Sequence, residues 1–596
     1  LEQLSHHERS NALAQMAAEG VDVLIIGGGI TGVSVAMDAA ARGYRVGLVE
    51  RHDFASGTSS KSTKLVHGGI RYLPQFDFVL VREALVERGL LFRNAPWIVR
   101  PLAFILPLYA NAKKPLGVPF TLPGRFLLDW EVQAGLLMYD LFSGRLGIKH
   151  HQRISVAAAL QRAPSLKREG LKHAFVYYDG QTDDTRLTTT VLRTAVRLGS
   201  LAANYAEVTS FQIDGGQIAA AHVCDNISGK QYTIRARHVV NAGGVFAEKI
   251  ESLTGIHSDL SVKPAKGVHL VFSRDKLPIT DEAVVLPETD DGRLLFIVPW
   301  EGRVVVGTTD TEGGDVERPE TNAADIAYLL DHLHRYLNVN LTEHDIISTY
   351  AGYRPLVSSK DPAKSSAHLS RSHAVLDGPG GMVTIVGGKL TTWRRMAEDT
   401  VNHVARRDGN PPSQLTRQLY LEGTVGWPRV EREVQRRGTK LGLDLDILEH
   451  LGQSFGANLE SVLQIAAADH RLARRIVPDL PYILAEVVQA CRYEMAMTVD
   501  DVLSRRTRLV LEDQQQGVGV AREIAQLMAH ELGWDQAESE RQVRAYYKIV
   551  GRNYSEGDGA DGSTTPQQQA ALRQSGAREE DDWSNATIEI GDASGK

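Results

Sequence analysis

The sequence predicts an α/β protein in which a Rossmann-type dinucleotide-binding domain, interrupted by an antiparallel-sheet domain, is followed by an all-helical C-terminal domain. Three observations carry this. A glycine-rich turn directly follows an apolar strand near the start, apolar strands ending in glycines recur far downstream, and beyond about residue 400 the hydrophobic period becomes helical.

Residues 1–20 read as a mixed polar, Ala-rich helix. The apolar strand up to Ile26 runs into Gly27-Gly28-Gly29-Ile30-Thr31-Gly32, a Gly-x-Gly-x-x-Gly turn. Gly27 permits the tight bend, Gly29 lets backbone approach a pyrophosphate, and Gly32 lets the following helix, over 31–42, pack close to the sheet. Unpaired N–H groups at the start of that helix, at Ile30 and Thr31, face the phosphates. A second strand over 44–49 ends at Glu50, eighteen residues past Gly32, where a carboxylate accepts hydrogen bonds from a ribose diol and disfavours a 2′-phosphate.

Strand and helix patterns alternate to about Arg93. Strands over 233–240 and 382–386 then lead into Asn241-Ala242-Gly243-Gly244 and Gly387-Gly388-Lys389, where backbone comes close to a ligand. Between them, 294–299 and 303–307 form a hairpin joined by Trp300-Glu301-Gly302, and 268–273 is a further strand of the inserted sheet. Leu484, Val487, Val488, Cys491 and Met495 recur at helical steps in the C-terminal part. The expected organisation is an extension over 1–20, a nucleotide-binding domain with the interleaved sheet over 21–399, a helical domain over 400–554 and a tail over 555–596. That tail carries nine acidic and three basic residues amid Gly, Ser and Gln, so it is expected to be disordered.

At 596 residues the chain has length for several domains, and 43% hydrophobic content suits a soluble globular class. A net charge of −7 argues against general nucleic-acid binding. Two distant cysteines, Cys224 and Cys491, support neither a disulfide framework, a thiol redox pair nor an iron–sulfur cluster, and no metal site is expected. No stretch pairs a basic region with a signal-like apolar core, so a cytoplasmic protein is expected. The longest apolar run, at 101–110, is about half a bilayer span.

After the second strand comes Ala55-Ser56-Gly57-Thr58-Ser59-Ser60-Lys61-Ser62-Thr63-Lys64-Leu65-Val66-His67-Gly68-Gly69-Ile70-Arg71-Tyr72-Leu73, too specific for a generic loop. With the glycine turn, Ala351-Gly352-Tyr353-Arg354-Pro355-Leu356 and Gly387-Gly388-Lys389-Leu390-Thr391-Thr392, it resembles the FAD-dependent glycerol-3-phosphate dehydrogenases, within the superfamily of glutathione reductase and D-amino-acid oxidase. The likeness spans residues 21 to about 508 and includes Asp184-Thr185-Arg186-Leu187 and Leu503-Ser504-Arg505-Arg506-Thr507-Arg508.

The resemblance implies FAD as the dinucleotide. Thr58, Ser59, Ser60, Lys64, His67, Gly68 and Gly69 would then line it, together with Val208, Gly243, Gly388, Lys389, Leu390 and Thr391. Arg71, Tyr72, Arg354, Arg371 and Lys389 are the implied partners of a substrate phosphate, since guanidinium forks and a lysine point charge suit a dianion. Pro355 biases Arg354 toward an extended backbone. His269 ranks first as general base, with His67 contacting the flavin, although a strand histidine is more often a core residue. Thr308, Thr309 and Asp310 position flavin or substrate, or form a capped turn.

The implied reaction takes sn-glycerol 3-phosphate to dihydroxyacetone phosphate by hydride transfer to flavin N5, with membrane quinone as the final acceptor. Arg354 stabilises the developing oxyanion. The alternatives are oxygen as acceptor, an amine or amino-acid oxidase, and a non-catalytic flavin-binding regulator. The segment 101–130, with Phe104, Ile105, Leu106, Leu108, Phe120, Phe126 and Leu127 beside Lys113, Lys114 and Arg125, is a candidate for shallow docking on the inner face of the cell membrane. A homodimer is also expected.

Overall fold

Val21–Ile26, apolar but for Asp22, is almost wholly buried and lies between two parallel neighbours, Gln231–Asn241 and Val46–Val49. Leu201–Ala203 extends this sheet at one side and Val383–Gly387 at the other, both in parallel. The computed structural model describes residues 3–73, 75–110, 125–290, 293–357 and 373–551. Arg371, Lys113, Lys114, Phe120 and the acidic tail lie outside them, as do the side chains of Arg125, Phe126 and Leu127.

The helix after the glycine turn, Ile30–Ala41, packs against Asp184–Arg197 and Trp393–Arg407 on one face of the sheet. His6–Glu19 packs against Leu201–Ala203 and Gln231–Asn241. Gly32 is where helix and turn come closest: a Cβ there would lie 1.8 Å from the Gly27 carbonyl oxygen.

A second, mainly antiparallel sheet of ten strands stands beside the first. Its spine is Val262–Ser273, paired antiparallel with Ile346–Val357 and Arg303–Gly307. The hairpin of Leu295–Trp300 and Arg303–Gly307 turns through Glu301 and Gly302, both at positive φ. Arg100–Tyr109 is an interior strand of this sheet, between Ala283–Leu286 and Leu171–Gln181. Phe104, Ile105, Leu106 and Leu108 are therefore buried, which corrects the expectation that this run docks at a bilayer.

Residue 400 falls inside Trp393–Arg407, a helix of the sheet layer, so the helical region proper begins later than expected. It runs from Trp427–Thr439 to Gln536–Ile549. Val487, Val488 and Cys491 lie in Ala485–Tyr493, which is buried all round as far as Cys491, with Leu484 buried just before it and Met495 just beyond. Among the described residues no helix is long and apolar enough to cross a membrane.

Buried charge joins the helical region to the rest. Asp53 accepts from Arg505 Nε at 2.6 Å and from both terminal nitrogens of Arg506 at 2.7 and 2.9 Å. Asp184 accepts from Lys64 at 2.7 Å and Arg508 at 3.2 Å, while Arg186 forks onto Glu494 with two bonds of 2.7 Å. Burial alone would raise Asp53, but Arg506 and Arg505 outweigh it and hold the carboxyl at about 2.

His450, also buried, bonds Glu486 at 2.9 Å, with Glu301 of the hairpin 4.0 Å away. Burial would depress its pKa, but Glu486 and Glu301 outweigh burial and push it up to about 10. A raised pKa means stability fully present below the ordinary histidine value and lost as pH rises toward about 10. The midpoint of thermal unfolding is therefore expected to fall between pH 7 and 10, at up to about 1.4 kcal/mol per pH unit from this group. His450→Gln should flatten that dependence, and parallel profiles for the two proteins would refute the assignment.

Candidate active site

A cleft of about 2360 Å³ runs from the glycine turn, between the two sheets, to the helical region. At its nucleotide end the backbone is shaped for close approach. Gly27 has φ +113°, and a Cβ there would lie 2.6 Å from the Ala242 carbonyl oxygen. At Gly29 a Cβ would lie 3.0 Å from Ser59 Oγ, which also accepts from the Ile30 N–H at 2.9 Å. Glu50 is aimed by two backbone donors, Gly28 at 2.6 Å and His52 at 2.8 Å.

Gly27, Gly29, Ile30, Thr31, Glu50, Thr58 and Ser59 all line this part of the cleft, with Val208 and Gly243. The cradle that a side chain would fill and the carboxylate at the strand end fit the pyrophosphate and ribose of FAD. His67, Gly69, Gly388, Leu390 and Thr391 line the cleft further along. There the His67 N–H donates to Thr391 Oγ1 at 3.0 Å, tying the two glycine loops together.

Four residues expected at the cofactor do not line the cleft. Gly32 serves the helix packing already described. Lys64 is wholly buried behind the wall, where it donates to Asp184 and to the Ser60 carbonyl, and burial with Arg508 nearby lowers its pKa to about 8. Ser60 is buried with it, its carbonyl also accepting from Arg508. Gly68 turns its N–H inward to Tyr139 OH at 2.8 Å and Asp179 at 3.2 Å, and a Cβ there would strike Leu85. These three residues shape the loop from behind, because their partners lie across the core.

Of the cations expected to meet a phosphate, Arg71, Arg354 and Lys389 line the same cleft, while Arg371 lies outside the described residues. Arg71 donates to Tyr72 OH at 2.7 Å, and Lys389 Nζ sits 4.0 Å above the Tyr72 ring. Gly69, at φ +78°, permits this, since a Cβ would stand 2.6 Å from that ring. Arg354 projects from Ile346–Val357 and contacts Asp310 at 3.3 Å, Thr308 at 3.2 Å and the Thr309 carbonyl at 3.3 Å. A Cβ at Gly267 would stand 2.7 Å from its guanidinium.

His269 lies on the neighbouring strand, paired with Gly307 on one side and Tyr350 on the other. Its ring stacks on Tyr350 with centroids 4.6 Å apart, and Nε2 is 2.8 Å from Thr63 Oγ1. Burial first, then the charges of Lys64 and Arg354, lower its pKa well below the ordinary value, so the imidazole is neutral at pH 7. Thr63 and Tyr350 were not singled out in the sequence. Thr63 lies inside the recognised loop and Tyr350 directly before Ala351, but only strand register brings Tyr350, and the path of the loop Thr63, to His269.

Two family models match the chain: FAD dependent oxidoreductase over residues 22–394, and the C-terminal domain of alpha-glycerophosphate oxidase over 414–539. Glycerol-3-phosphate dehydrogenase 2 of Mycobacterium tuberculosis is 36% identical over 546 residues, covering 91% of this chain and 90% of that protein. The mitochondrial glycerol-3-phosphate dehydrogenase of Bos taurus is 35% identical, over 89% of this chain and 73% of its own. The crystal structure of the glycerol-3-phosphate dehydrogenase from Bacillus halodurans, complexed with FAD, superimposes with a TM-score of 0.74 at 30% identity, covering 91% of this chain and 97% of that one. The chain therefore belongs to the FAD-dependent glycerol-3-phosphate dehydrogenase family, with FAD as its cofactor.

Proposed function

We propose that this protein oxidises sn-glycerol 3-phosphate at carbon two to dihydroxyacetone phosphate, by hydride transfer to flavin N5, and passes the electrons to a membrane quinone. The observation that carries the reading is that Arg71, Arg354 and Lys389, from three distant segments, line one cleft with the glycine cradle. FAD held by that cradle supplies a two-electron oxidant; the chain itself must bind, orient and deprotonate the alcohol.

Arg71 and Lys389, steadied on Tyr72, suit the phosphate dianion, and binding that remote group orients the reacting carbon. Arg354, steadied by Thr308 and Asp310, serves the oxygen on which negative charge accumulates. His269, kept neutral, retains a lone pair for the hydroxyl proton. A carboxylate substrate needs one arginine clamp, so three converging cations favour the phosphate over an amino acid.

Quinone is favoured over oxygen by an apolar surface. On Arg125–Ser143, Trp130, Leu137 and Leu141 share one face and are 71%, 63% and 75% exposed. Phe76 and Val79 are exposed at the start of Phe78–Asn94, whose Phe78 meets Phe142 edge-on. Exposed Arg82 and Arg145 follow these segments. Such a surface with basic flanks suits shallow docking on an anionic membrane, on the cytoplasmic side.

Under anaerobic conditions, glycerol 3-phosphate is expected to bleach the flavin and amino acids are not; bleaching by neither would favour a non-catalytic flavoprotein. Arg354→Lys should lower kcat by about 100-fold at unchanged flavin content, the scale seen when one oxyanion donor is lost. Unchanged kinetics would remove Arg354 from the chemistry. A soluble quinone analogue should sustain turnover, whereas oxygen uptake matching substrate loss would establish an oxidase. Replacing Leu137 and Leu141 by Ser should abolish co-sedimentation with phosphatidylglycerol vesicles without changing turnover of a soluble acceptor, and retained co-sedimentation would dismiss this face.

A further inference from the structure

We infer that Tyr139 is a positioning residue for substrate binding: its hydroxyl holds the Gly68 N–H from the core side and so keeps Arg71 and Lys389 gathered for the substrate phosphate. The inference rests on the reading of those two cations as the phosphate partners. Both meet on one ring, that of Tyr72: the guanidinium carbon of Arg71 lies 4.8 Å from its centre and Lys389 Nζ 4.0 Å. A Cβ on Gly69 would stand 3.4 Å from the same Nζ, so the ammonium also lies close to the backbone of the loop that carries Arg71.

Like charges brought to one ring repel, and a dianion bound between them offsets that repulsion. A site shaped before the substrate arrives therefore needs its two loops tied together by something other than the cations. Two ties are present. On one side Thr391, just after Lys389, accepts the His67 N–H at 3.0 Å and donates to the His67 carbonyl at 3.1 Å. On the other side the next N–H, that of Gly68, points into the core, to Tyr139 OH at 2.8 Å and to Asp179 at the longer distance of 3.2 Å. Gly69 then turns through φ +78° into the short helix Ile70–Tyr72, so the direction in which Arg71 leaves the loop is set at Gly68.

Tyr139 is a firm anchor. It projects from the buried side of Arg125–Ser143 and donates to the Asp179 carboxylate, whose oxygens lie 2.7 and 2.8 Å away. Arg88 holds the same carboxylate at 2.6 Å and reaches Ser143 Oγ at 3.0 Å. Burial first, then Asp179, raises the phenol well above its ordinary pKa, so it keeps its proton for the carboxylate and offers a lone pair to Gly68. Asp179 also lines the cleft, but Arg88 offsets its charge there. The fit allows no side chain on the loop, since a Cβ at Gly68 would stand 2.6 Å from the Tyr139 oxygen and 2.5 Å from Leu85.

Removing the hydroxyl leaves the Gly68 N–H only the longer bond to Asp179, and Arg71 is then free to draw away from Lys389. Tyr139 makes no hydrogen bond to His269 or Arg354 among the described residues, so the loss falls on phosphate binding and spares the chemical step.

The test follows anaerobic flavin reduction in the FAD-loaded protein as glycerol 3-phosphate is varied, with inorganic phosphate as a competing probe. Tyr139→Phe is expected to raise the half-saturating substrate concentration and the inhibition constant of inorganic phosphate together, by about five- to tenfold, with the limiting reduction rate changed less than twofold. Ser143→Ala, which touches the same buried cluster but not the loop, should behave as wild type, and flavin content and unfolding midpoint serve as folding controls. Unchanged affinities in Tyr139→Phe, a slower reduction step at unchanged affinity, equal losses in Ser143→Ala, or loss of flavin from Tyr139→Phe would each overturn the role of Tyr139. Arg71→Met and Lys389→Met should both raise the half-saturating concentration; if neither does, it is the reading of the phosphate site that falls.

Discussion

The buried ionic seam between the flavin loop and the helical region is the constraint on which the rest depends. Residues 56–64 are Ser, Gly, Thr and Lys throughout, so hydrophobic burial has little to hold. Asp53 and Asp184 fix the loop instead, through Arg505, Arg506, Lys64 and Arg508. Taking such charges out of water is costly, and the arrangement holds only because each carboxylate meets more than one donor. Removing one partner strands the others, so loop and helical region are ordered together or not at all.

The C-terminal region reaches the cleft wall through this seam and through Leu511, which clusters with Tyr350, the ring stacked on His269. Arg508 and Lys64 meet at Asp184, Asp184 holds Ser62, and the next residue is the hydrogen-bond partner of His269. The same loop carries Thr58, whose hydroxyl donates to the Tyr353 carbonyl at 2.5 Å, one residue before Arg354. His269 and Arg354 thus sit on adjacent sheet strands, and one loop is pinned to both.

What was legible in the sequence is what short-range chemistry dictates. The glycine turn, Glu50 and the hairpin ending at Gly307 declare themselves through spacing, alternation and turn residues, and each is where the sequence places it. Arg100–Tyr109 left docking and core burial both open, because a continuous apolar run looks the same in an interior strand and in a surface segment; only its pairing with Leu171–Gln181 and Ala283–Leu286 decides for the core. Lys64 escaped for a related reason. A lysine amid serines and glycines reads as a phosphate ligand until a carboxylate 120 residues away claims it. Thr63 lies inside the recognised loop, yet nothing local marks it out, since its contact with His269 exists only in the folded chain.

The same geometry sorts the arginines, which the sequence alone cannot. Arg506 makes a short fork to Asp53 and is almost wholly buried; Arg186 does the same with Glu494. Both are charge-assisted pairs in a dry setting, where exchange for a ligand would strand a carboxylate. Arg354 differs in exposure: it reaches Asp310, Thr308 and the Thr309 carbonyl at 3.2–3.3 Å, and its side chain is 23% exposed in the cleft. In a molecule of net charge −7, Arg71, Arg354 and Lys389 thus lie outside the seam and line the cleft.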